Sequence, residues 1–376
     1  MTKLLVIAGE VSGDIHGGNV IQELRAFRPD LDIFGVGGEY LRSAGGRLFY
    51  RVEDLAVLGF VEVAKRYRSI KAIFDRMVRE LDRELPDAVL LVDYPGFNLR
   101  FAEEAKKRGI PVFYYISPQV WAWKKGRVEK IKRVVDHLIV LFPFEVEFYA
   151  REGMEAHCFG HPLLDIVYPT ADREETCFRW GLDPEKRLIS LLPGSRENEI
   201  RNHLPLLYET AKILSDRRND LQFVFPLALT VRKEAFSPFV NRGEIEARVV
   251  EGDTYNAVAS SDFALVASGT ATLETAILGT PLILFYKSTL STYLIAKYLF
   301  KIQQIGLPNI VAGRSVVPEV LYGSSPTKMA EKVLFFLENE GRYNTMRRDL
   351  IGVKDKLGEK GAYQKTARFI DSVLVK

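Results

Sequence analysis

Apolar runs and mixed stretches alternate along almost the whole chain. Runs rich in Val, Ile, Leu and Phe occur at 3–9, 31–37, 47–51, 88–94, 111–117, 137–142 and 156–160. The pattern pauses in a Pro- and Asp-containing stretch near 162–172, then restarts at 188–193, 222–228, 247–251, 262–268 and 281–287. Runs of this length read as buried strands, and most are separated by segments with helical spacing of apolar positions. Strand, helix and strand in repeated order build parallel βαβ units. The expected fold class is therefore α/β, with two doubly wound parallel-sheet domains joined near residue 168. The first would span 1–168 and the second 169–345. The segment from about 326 looks helical to the end, leaving 346–376 free to pack back on the first domain. Ligands of such folds bind beyond the carboxyl ends of strands and, with two domains, in the cleft between them.

Composition narrows this picture only in part. With 376 residues, the chain is too long for one typical core. Its 47% hydrophobic and 27% charged content is that of an ordinary globular protein. A net charge of +3 makes no case for a nucleic-acid partner. Two cysteines, Cys158 and Cys177, form neither a disulfide framework nor a zinc site, so a reducing cytosol is the default. The apolar run Leu4 to Ala8 is too short for a signal-peptide core, and no run of about 20 uncharged apolar residues appears.

The candidate chemistry lies where strands give way to helices. After the run at 188–193 comes Pro193-Gly194-Ser195-Arg196, and a helical pattern starts at once. Such a turn exposes N–H groups at a helix N-terminus, where a phosphate is favoured, and Arg196 adds a fork of donors. A plain turn with a solvated Arg gives the same pattern. Ser268-Gly269-Thr270 follows another strand, with hydroxyls and amides for a diphosphate and Glu274 one turn on to meet ribose hydroxyls. Glu274 as a helix-capping residue is the alternative. Asn309, in Leu307-Pro308-Asn309-Ile310, could hold a uracil edge.

In the first half, Gly9-Glu10-Val11-Ser12-Gly13-Asp14 and Gly17-Gly18 form a glycine-rich loop opening a helix. The spacing departs from Gly-x-Gly-x-x-Gly, so a nicotinamide cofactor is not expected. The loop lets a bulky substrate approach the backbone, or lets helix and sheet pack closely. Asp93, in Asp93-Tyr94-Pro95-Gly96-Phe97-Asn98, is placed for general-base work or as a turn former. Ser117-Pro118-Gln119-Val120-Trp121-Ala122-Trp123 brings two tryptophans to a strand end, for a sugar or acyl pocket or for the core. His161 lies near the expected hinge; a structural role is the commoner case for a histidine, but a place at the cleft favours a functional one. Asp30-Leu31-Asp32 precedes a strand, and neither His-x-x-x-His nor Cys-x-x-Cys occurs, so no metal is expected.

The segment 59–81 bears on partners. Phe60, Val63, Tyr67, Ile70, Phe74, Met77 and Leu81 fall at helical spacing, amid Lys65, Arg66, Arg68, Lys71, Arg76 and Arg79. A basic amphipathic helix can lie on an anionic membrane, here through Phe60, Val61, Lys65, Arg66, Arg68 and Lys71. Packing of the stripe in the core, with a solvated basic face, is the alternative. A second basic cluster is Lys124, Lys125, Arg127, Lys130, Lys132 and Arg133.

Taken together, the chain resembles the lipid-A-disaccharide synthase family. The resemblance rests on Ala8-Gly9-Glu10-Val11-Ser12-Gly13-Asp14, Asp93 to Asn98, Ser117 to Trp123, Pro143-Phe144-Glu145, Gly160-His161-Pro162, Leu192 to Arg196, Ser268 to Glu274 and Leu307-Pro308-Asn309, in the family order. Gly96 departs from the pattern, since many members carry an acidic residue there. The resemblance implies a GT-B glycosyltransferase of two Rossmann-like domains. It implies an inverting transfer from UDP-2,3-diacylglucosamine to 2,3-diacylglucosamine 1-phosphate, without metal or other cofactor. It places the enzyme on the inner face of the Gram-negative inner membrane, at an anionic surface. Arg196, Glu274 and Asn309 would then belong to the UDP site, with Gly194, Ser195, Ser268, Gly269 and Thr270. Asp93 would be catalytic, and Glu10, Ser12, Gly13, Asp14, Ser117, Trp121, Trp123 and His161 would serve the acceptor or line the cleft. The rivals are a UDP-N-acetylglucosamine epimerase and a non-enzymatic lipid-binding protein. A homo-oligomer stays open.

Overall fold

The computed structural model describes residues 2–55, 60–118, 125–227, 231–240, 242–286, 304–321 and 324–375, with side chains at 60–67 and 125 left out. The chain forms two compact units, Met1–Asp165 with Gly358–Lys376, and Ile166–Leu357. In the first, β1 (Lys3–Ala8), β2 (Asp32–Gly37), β3 (Arg47–Arg51), β4 (Ala88–Val92), β5 (Val112–Tyr115), β6 (His137–Val140) and β7 (Ala156–Cys158) make one sheet. Its order is β3-β2-β1-β4-β5-β6-β7, and neighbouring strands are parallel. In the second unit, β8 (Arg187–Leu192), β9 (Leu221–Leu227), β10 (Ala247–Glu251), β11 (Phe263–Ala267), β12 (Leu282–Phe285) and β13 (Glu319–Val320) run in the order β10-β9-β8-β11-β12-β13. Here too neighbours are parallel.

Strands buried on both faces must be apolar throughout. Val89, Leu90, Leu91 and Val92 of β4 are fully buried, as are Phe263 to Val266 of β11. In each sheet the strand order reverses once, at β1/β4 and at β8/β11. Right-handed crossovers then send helices to opposite faces on either side of the reversal, and the loops that diverge there leave a crevice. The register Ala8↔Val92 and the register Leu192↔Val266 bring the paired strand ends level.

The expected strands match the observed ones, with two informative differences. The runs 88–94 and 111–117 outlast their strands because the chain turns left-handed, at Asp93 and Tyr94 (φ 47° and 49°) and at Ile116 (φ 66°). Strand β13 escapes periodicity, being two residues long.

The end of the chain divides. Helices Pro326–Glu338 and Glu340–Asp355 belong to the second unit, whereas Ala362–Leu374 packs on helix Val11–Phe27 of the first. Arg28 and Asp371 pair at 2.9 Å, and the His16 ring lies 2.9 Å from the Tyr363 hydroxyl. Phe369 meets Phe113, His137, His157 and Phe159.

Helix Phe60–Glu84 forms as its period requires. From Ile70 onward its apolar stripe meets the core: Ile73, Met77 and Leu81 are buried there, with Ile70, Phe74 and Val78 against them. That part of the stripe does not serve a bilayer. Phe60, Val61, Lys65 and Arg66 have side chains outside the described residues; Arg68 and Lys71 are exposed. Among the described residues, no helix is long and apolar enough to cross a membrane.

The paired glycines of helix Val11–Phe27 are packing devices. A Cβ on Gly17 would lie 3.2 Å from Val92 Cγ2, and one on Gly18 would lie 2.6 Å from the Tyr40 carbonyl carbon and 2.9 Å from Leu41 N. The Gly18 contacts include backbone, which cannot swing aside. Gly18→Ala should cost about 1–3 kcal/mol through overpacking, read as a lower urea midpoint with unchanged slope. An unchanged midpoint would mean that the short helix Glu39–Ser43 shifts freely.

Candidate functional site

The motif residues that follow β1 and β4, and those that follow β8 and β11, meet at the two strand-order reversals. In the first unit, the loop after β1 and the loop after β4 start side by side. Asp93 follows β4 directly and is half-buried. Burial, and then the charge of Glu10, raise its carboxyl to about 6. Glu10 is the exposed N-cap residue of helix Val11–Phe27, so it sits where β1 ends. Two carboxylates from adjacent strand ends thus share one field, and the more buried Asp93 is held above the usual carboxylate range. A carboxylate raised in this way can exchange a proton near neutral pH. Ser12 is exposed beside Glu10, and Gly13 packs 3.5 Å, by its would-be Cβ, from the Val92 carbonyl oxygen. Gly96 is exposed with open space around it, where an acidic side chain would reach solvent.

Several acceptor-side expectations give way to structural roles. Asp14 is buried, and its carboxylate accepts N–H bonds from Gly38 at 2.6 Å, Tyr40 at 3.0 Å and Leu41 at 3.1 Å. It anchors the N-terminus of helix Glu39–Ser43 from within the core. Ser117 is buried, 2.6 Å from the Tyr149 hydroxyl and donating to Pro118 O. His161 accepts the Leu163 N–H at 3.2 Å and packs on Phe142; burial lowers its pKa to about 3, so it stays neutral and structural. Trp121 and Trp123 lie outside the described residues.

In the second unit the loops after β8 and β11 are neighbours in the same way. Gly194 turns with φ +116°, and helix Glu197–Arg217 follows, with Arg196 as N-cap. The turn holds an anion already. Glu199 Oε2 accepts from the N–H of Ser195 at 3.1 Å and of Arg196 at 3.3 Å, and Glu199 Oε1 pairs with the Arg196 guanidinium at 3.3 Å. The phosphate reading of this turn missed Glu199, though its place three residues after the N-cap is a capping-box signal. Across the pair, Ser268 closes β11 through its N–H to Phe285 O, and Gly269 and Thr270 are exposed at the start of helix Thr270–Ile277. Glu274 lies one turn on, enclosed enough that burial raises its carboxyl to about 7. Its carboxylate makes no hydrogen bond or ion pair among the described residues. Such a carboxylate gains from a ligand that brings hydroxyl donors.

Asn309 is where the site departs most from expectation. Its side chain is buried, donates to Val317 O at 2.9 Å and Glu319 Oε1 at 2.8 Å, and accepts from Val316 N–H and Val317 N–H at 2.7 and 2.9 Å. All four hydrogen-bonding places are filled. Asn309 therefore ties helix Leu307–Ala312 to the segment before β13 and does not present its amide to a base. Among the described residues, no group of three or more His, Cys, Asp or Glu is placed to hold a metal ion.

Comparison with known proteins follows these features. A family model described as lipid-A-disaccharide synthetase matches residues 4–373. The lipid-A-disaccharide synthase of Syntrophus aciditrophicus is 42% identical over 97% of this chain and 96% of its own length. That of Trichlorobacter lovleyi is 40% identical over 99% and 97%, and that of Coxiella burnetii 37% over 99% and 98%. Among solved structures, S. aureus MnaA with UDP is similar at a TM-score of 0.65 and 14% identity, covering 100% of this chain and 97% of that one. The UDP-GlcNAc 2-epimerase of Neisseria meningitidis gives 0.63 and 15%, with full coverage of both, and Acinetobacter baumannii MurG gives 0.59 and 14%, covering 99% of each. At such identities the structural likeness speaks for the shared two-domain α/β fold of GT-B glycosyltransferases and epimerases.

The Glu274 environment has a stability consequence whose sign is fixed. Its folded pKa of about 7 lies above the ordinary 4.5, so the folded state holds the proton longer and loses stability as pH rises from about 4.5 through 7. Glu274→Gln should raise the melting temperature at pH 8 and change it little at pH 5. Equal shifts at both pH values would show that burial of the charge is not what the side chain costs the fold.

Proposed function

Because the chain belongs to the lipid-A-disaccharide synthase family, we propose that its two strand-order reversals divide one hexosyl transfer between them. The enzyme is an inverting hexosyltransferase that joins UDP-2,3-diacylglucosamine to 2,3-diacylglucosamine 1-phosphate, giving the disaccharide 1-phosphate and UDP. An epimerase shares the fold but finds support only at 13–15% identity, and a non-enzymatic lipid binder would have no use for the turn after β8.

The observation that carries the division of labour is the placing of Asp93 and Arg196 at the strand-order reversals of their two sheets, after β4 and after β8. In this reading Asp93 takes the proton from the acceptor's 6-hydroxyl as that oxygen attacks the anomeric carbon of the donor sugar. The bond from that carbon to the diphosphate breaks, and UDP departs with the electron pair. Arg196, with the amides near Gly194, Ser195 and Ser268 to Thr270, offsets the charge on the departing diphosphate in place of a divalent cation. Glu274 accepts from the ribose hydroxyls. Asn309 shapes the loop behind the nucleoside without touching it. Glu10, Ser12 and Gly13 border the acceptor beside Asp93.

Incubation with both acylated substrates should yield the disaccharide by mass spectrometry; conversion of UDP-N-acetylglucosamine to its epimer instead would overturn the reading. Arg196→Ala should weaken UDP binding by about 2–3 kcal/mol of charge-assisted bonds. Calorimetry showing wild-type affinity would remove Arg196 from the donor site.

Acylated substrates also require a lipid surface, which we place at the start of helix Phe60–Glu84, on the cytoplasmic face of the inner membrane. Supporting this is the basic run Lys65, Arg66 and Arg68, with Phe60 and Val61 beside it. Each cation near an anionic bilayer contributes about 1 kcal/mol. Reversing Lys65, Arg66, Arg68 and Lys71 to Glu should cut sedimentation with anionic vesicles and leave UDP affinity intact. Unchanged sedimentation would end this assignment.

A further inference from the structure

Asp93 and Tyr94 are consecutive non-glycine residues in the left-handed region, φ 47° and 49°. L-residues avoid this region because Cβ crowds the carbonyl oxygen, so something around the pair must hold it there. The holding groups are well defined. Asn98 is fully buried, and its Nδ2 donates to Asp93 O at 2.7 Å and Val92 O at 3.1 Å. The Tyr114 hydroxyl donates to the same Asp93 oxygen at 2.7 Å. Both lone pairs of one carbonyl are thereby engaged from two different elements, helix Pro95–Lys107 and β5. Tyr94 is pinned from the other side, by its hydroxyl to Leu55 O at 3.0 Å and by its ring over Gly9, where a Cβ would clash with Tyr94 Cδ1 and Cγ.

A second observation separates this from ordinary turn packing. Asn98 Oδ1 is buried and has no hydrogen-bond partner among the described residues. A buried acceptor left unpaired is unfavourable, so the amide is retained for its donors. The shortest of those donor bonds goes to the carbonyl of the residue that carries the proposed base, and the others go to Val92 O and, at 3.4 Å, Ile7 O at the adjoining strand ends.

We propose that Asn98 and Tyr114 are positioning residues: by converging on the Asp93 carbonyl they lock the left-handed turn after β4 and so fix where the Asp93 carboxylate meets the acceptor hydroxyl. The proposal rests on the reading of Asp93 as base. Neither side chain touches substrate; each acts through Asp93.

The test is a double-mutant cycle on the full-length enzyme. Tyr114→Phe keeps the buried ring and removes one donor, so it spares the core. It should lower kcat by roughly 10-fold, since small misplacements of a catalytic group are costly. The KM for the acceptor and the UDP affinity should stay near wild type. Asn98→Ser, which keeps a shorter donor, should lose less kcat than Asn98→Ala at matched folded fraction. In an Asp93→Asn background, Tyr114→Phe should have no further effect on kcat. If Tyr114→Phe leaves kcat within about twofold of wild type, or lowers it by the same factor with and without Asp93, positioning through Asp93 is wrong. Near-normal turnover of Asp93→Asn alone is a different failure: it removes the base and leaves Asp93 a turn former.

Discussion

Parallel pairing of β1 with β4, and of β8 with β11, is the constraint on which the rest depends. Right-handed crossovers cannot fill both sides of a first strand with consecutive neighbours, so the chain winds outward on one side and then returns to the other. The return strand brings its loop beside the first loop. In the first unit that meeting places Glu10 next to Asp93; in the second it places Gly194 to Arg196 next to Ser268 to Thr270. No side chain has to be aimed across a long loop. A one-residue slip of β4 against β1 would move Asp93 by a whole residue and turn its neighbours to the other face.

The same two places are where the fold gives up stability. Two left-handed residues after β4 are worth about 1–3 kcal/mol each in strain. Asp93 and Glu274 are both desolvated enough to hold protons toward neutral pH. The surrounding cores offset this. Phe97 and Phe101, two residues of the helix that follows Asp93, pack with Phe74 in an aromatic cluster at 5.3 to 6.4 Å. Helix Phe60–Glu84 is thus committed to the core over its second half, which supports the turn that carries Asp93.

How far the sequence could be read depended on whether a signal was local. Parallel strands buried on both faces write continuous apolar runs, so twelve of the thirteen strands among the described residues were legible and β13 (Glu319–Val320) was not. Strand-to-helix turns were legible from Gly, Pro and Ser at the ends of those runs, and Asp93, Arg196 and Glu274 do lie at such turns or one helical turn beyond. What stayed hidden was where a polar side chain spends its hydrogen bonds. Asp14, Ser117, His161 and Asn309 look like Asp93 or Glu274 in sequence: polar residues near strand ends. In space, Asp14 caps a helix 24 to 27 residues away, and Asn309 closes on Val316, Val317 and Glu319. Residue type and spacing do not encode such partners. The positive φ at Asp93 and Tyr94 was equally invisible, because neither is glycine.

The turn after β8 shows what such a site is before any ligand enters. Its amides and the Arg196 guanidinium form a place for an anion, and the chain supplies one in Glu199. This is a helix N-terminus satisfied by its own carboxylate, which stabilises helix Glu197–Arg217 without ligand. Under the proposed function, a diphosphate entering this turn exchanges one anion for another instead of filling an empty cradle. Net affinity then reflects the difference between phosphate and carboxylate, not the full strength of the new bonds. A phosphate brings more charge and more acceptor oxygens than one carboxylate, so the exchange favours the nucleotide, by a margin smaller than the count of contacts suggests. A transferase has use for that moderation, because UDP must leave after each turnover, and a turn whose amides are recaptured by Glu199 lowers the cost of release.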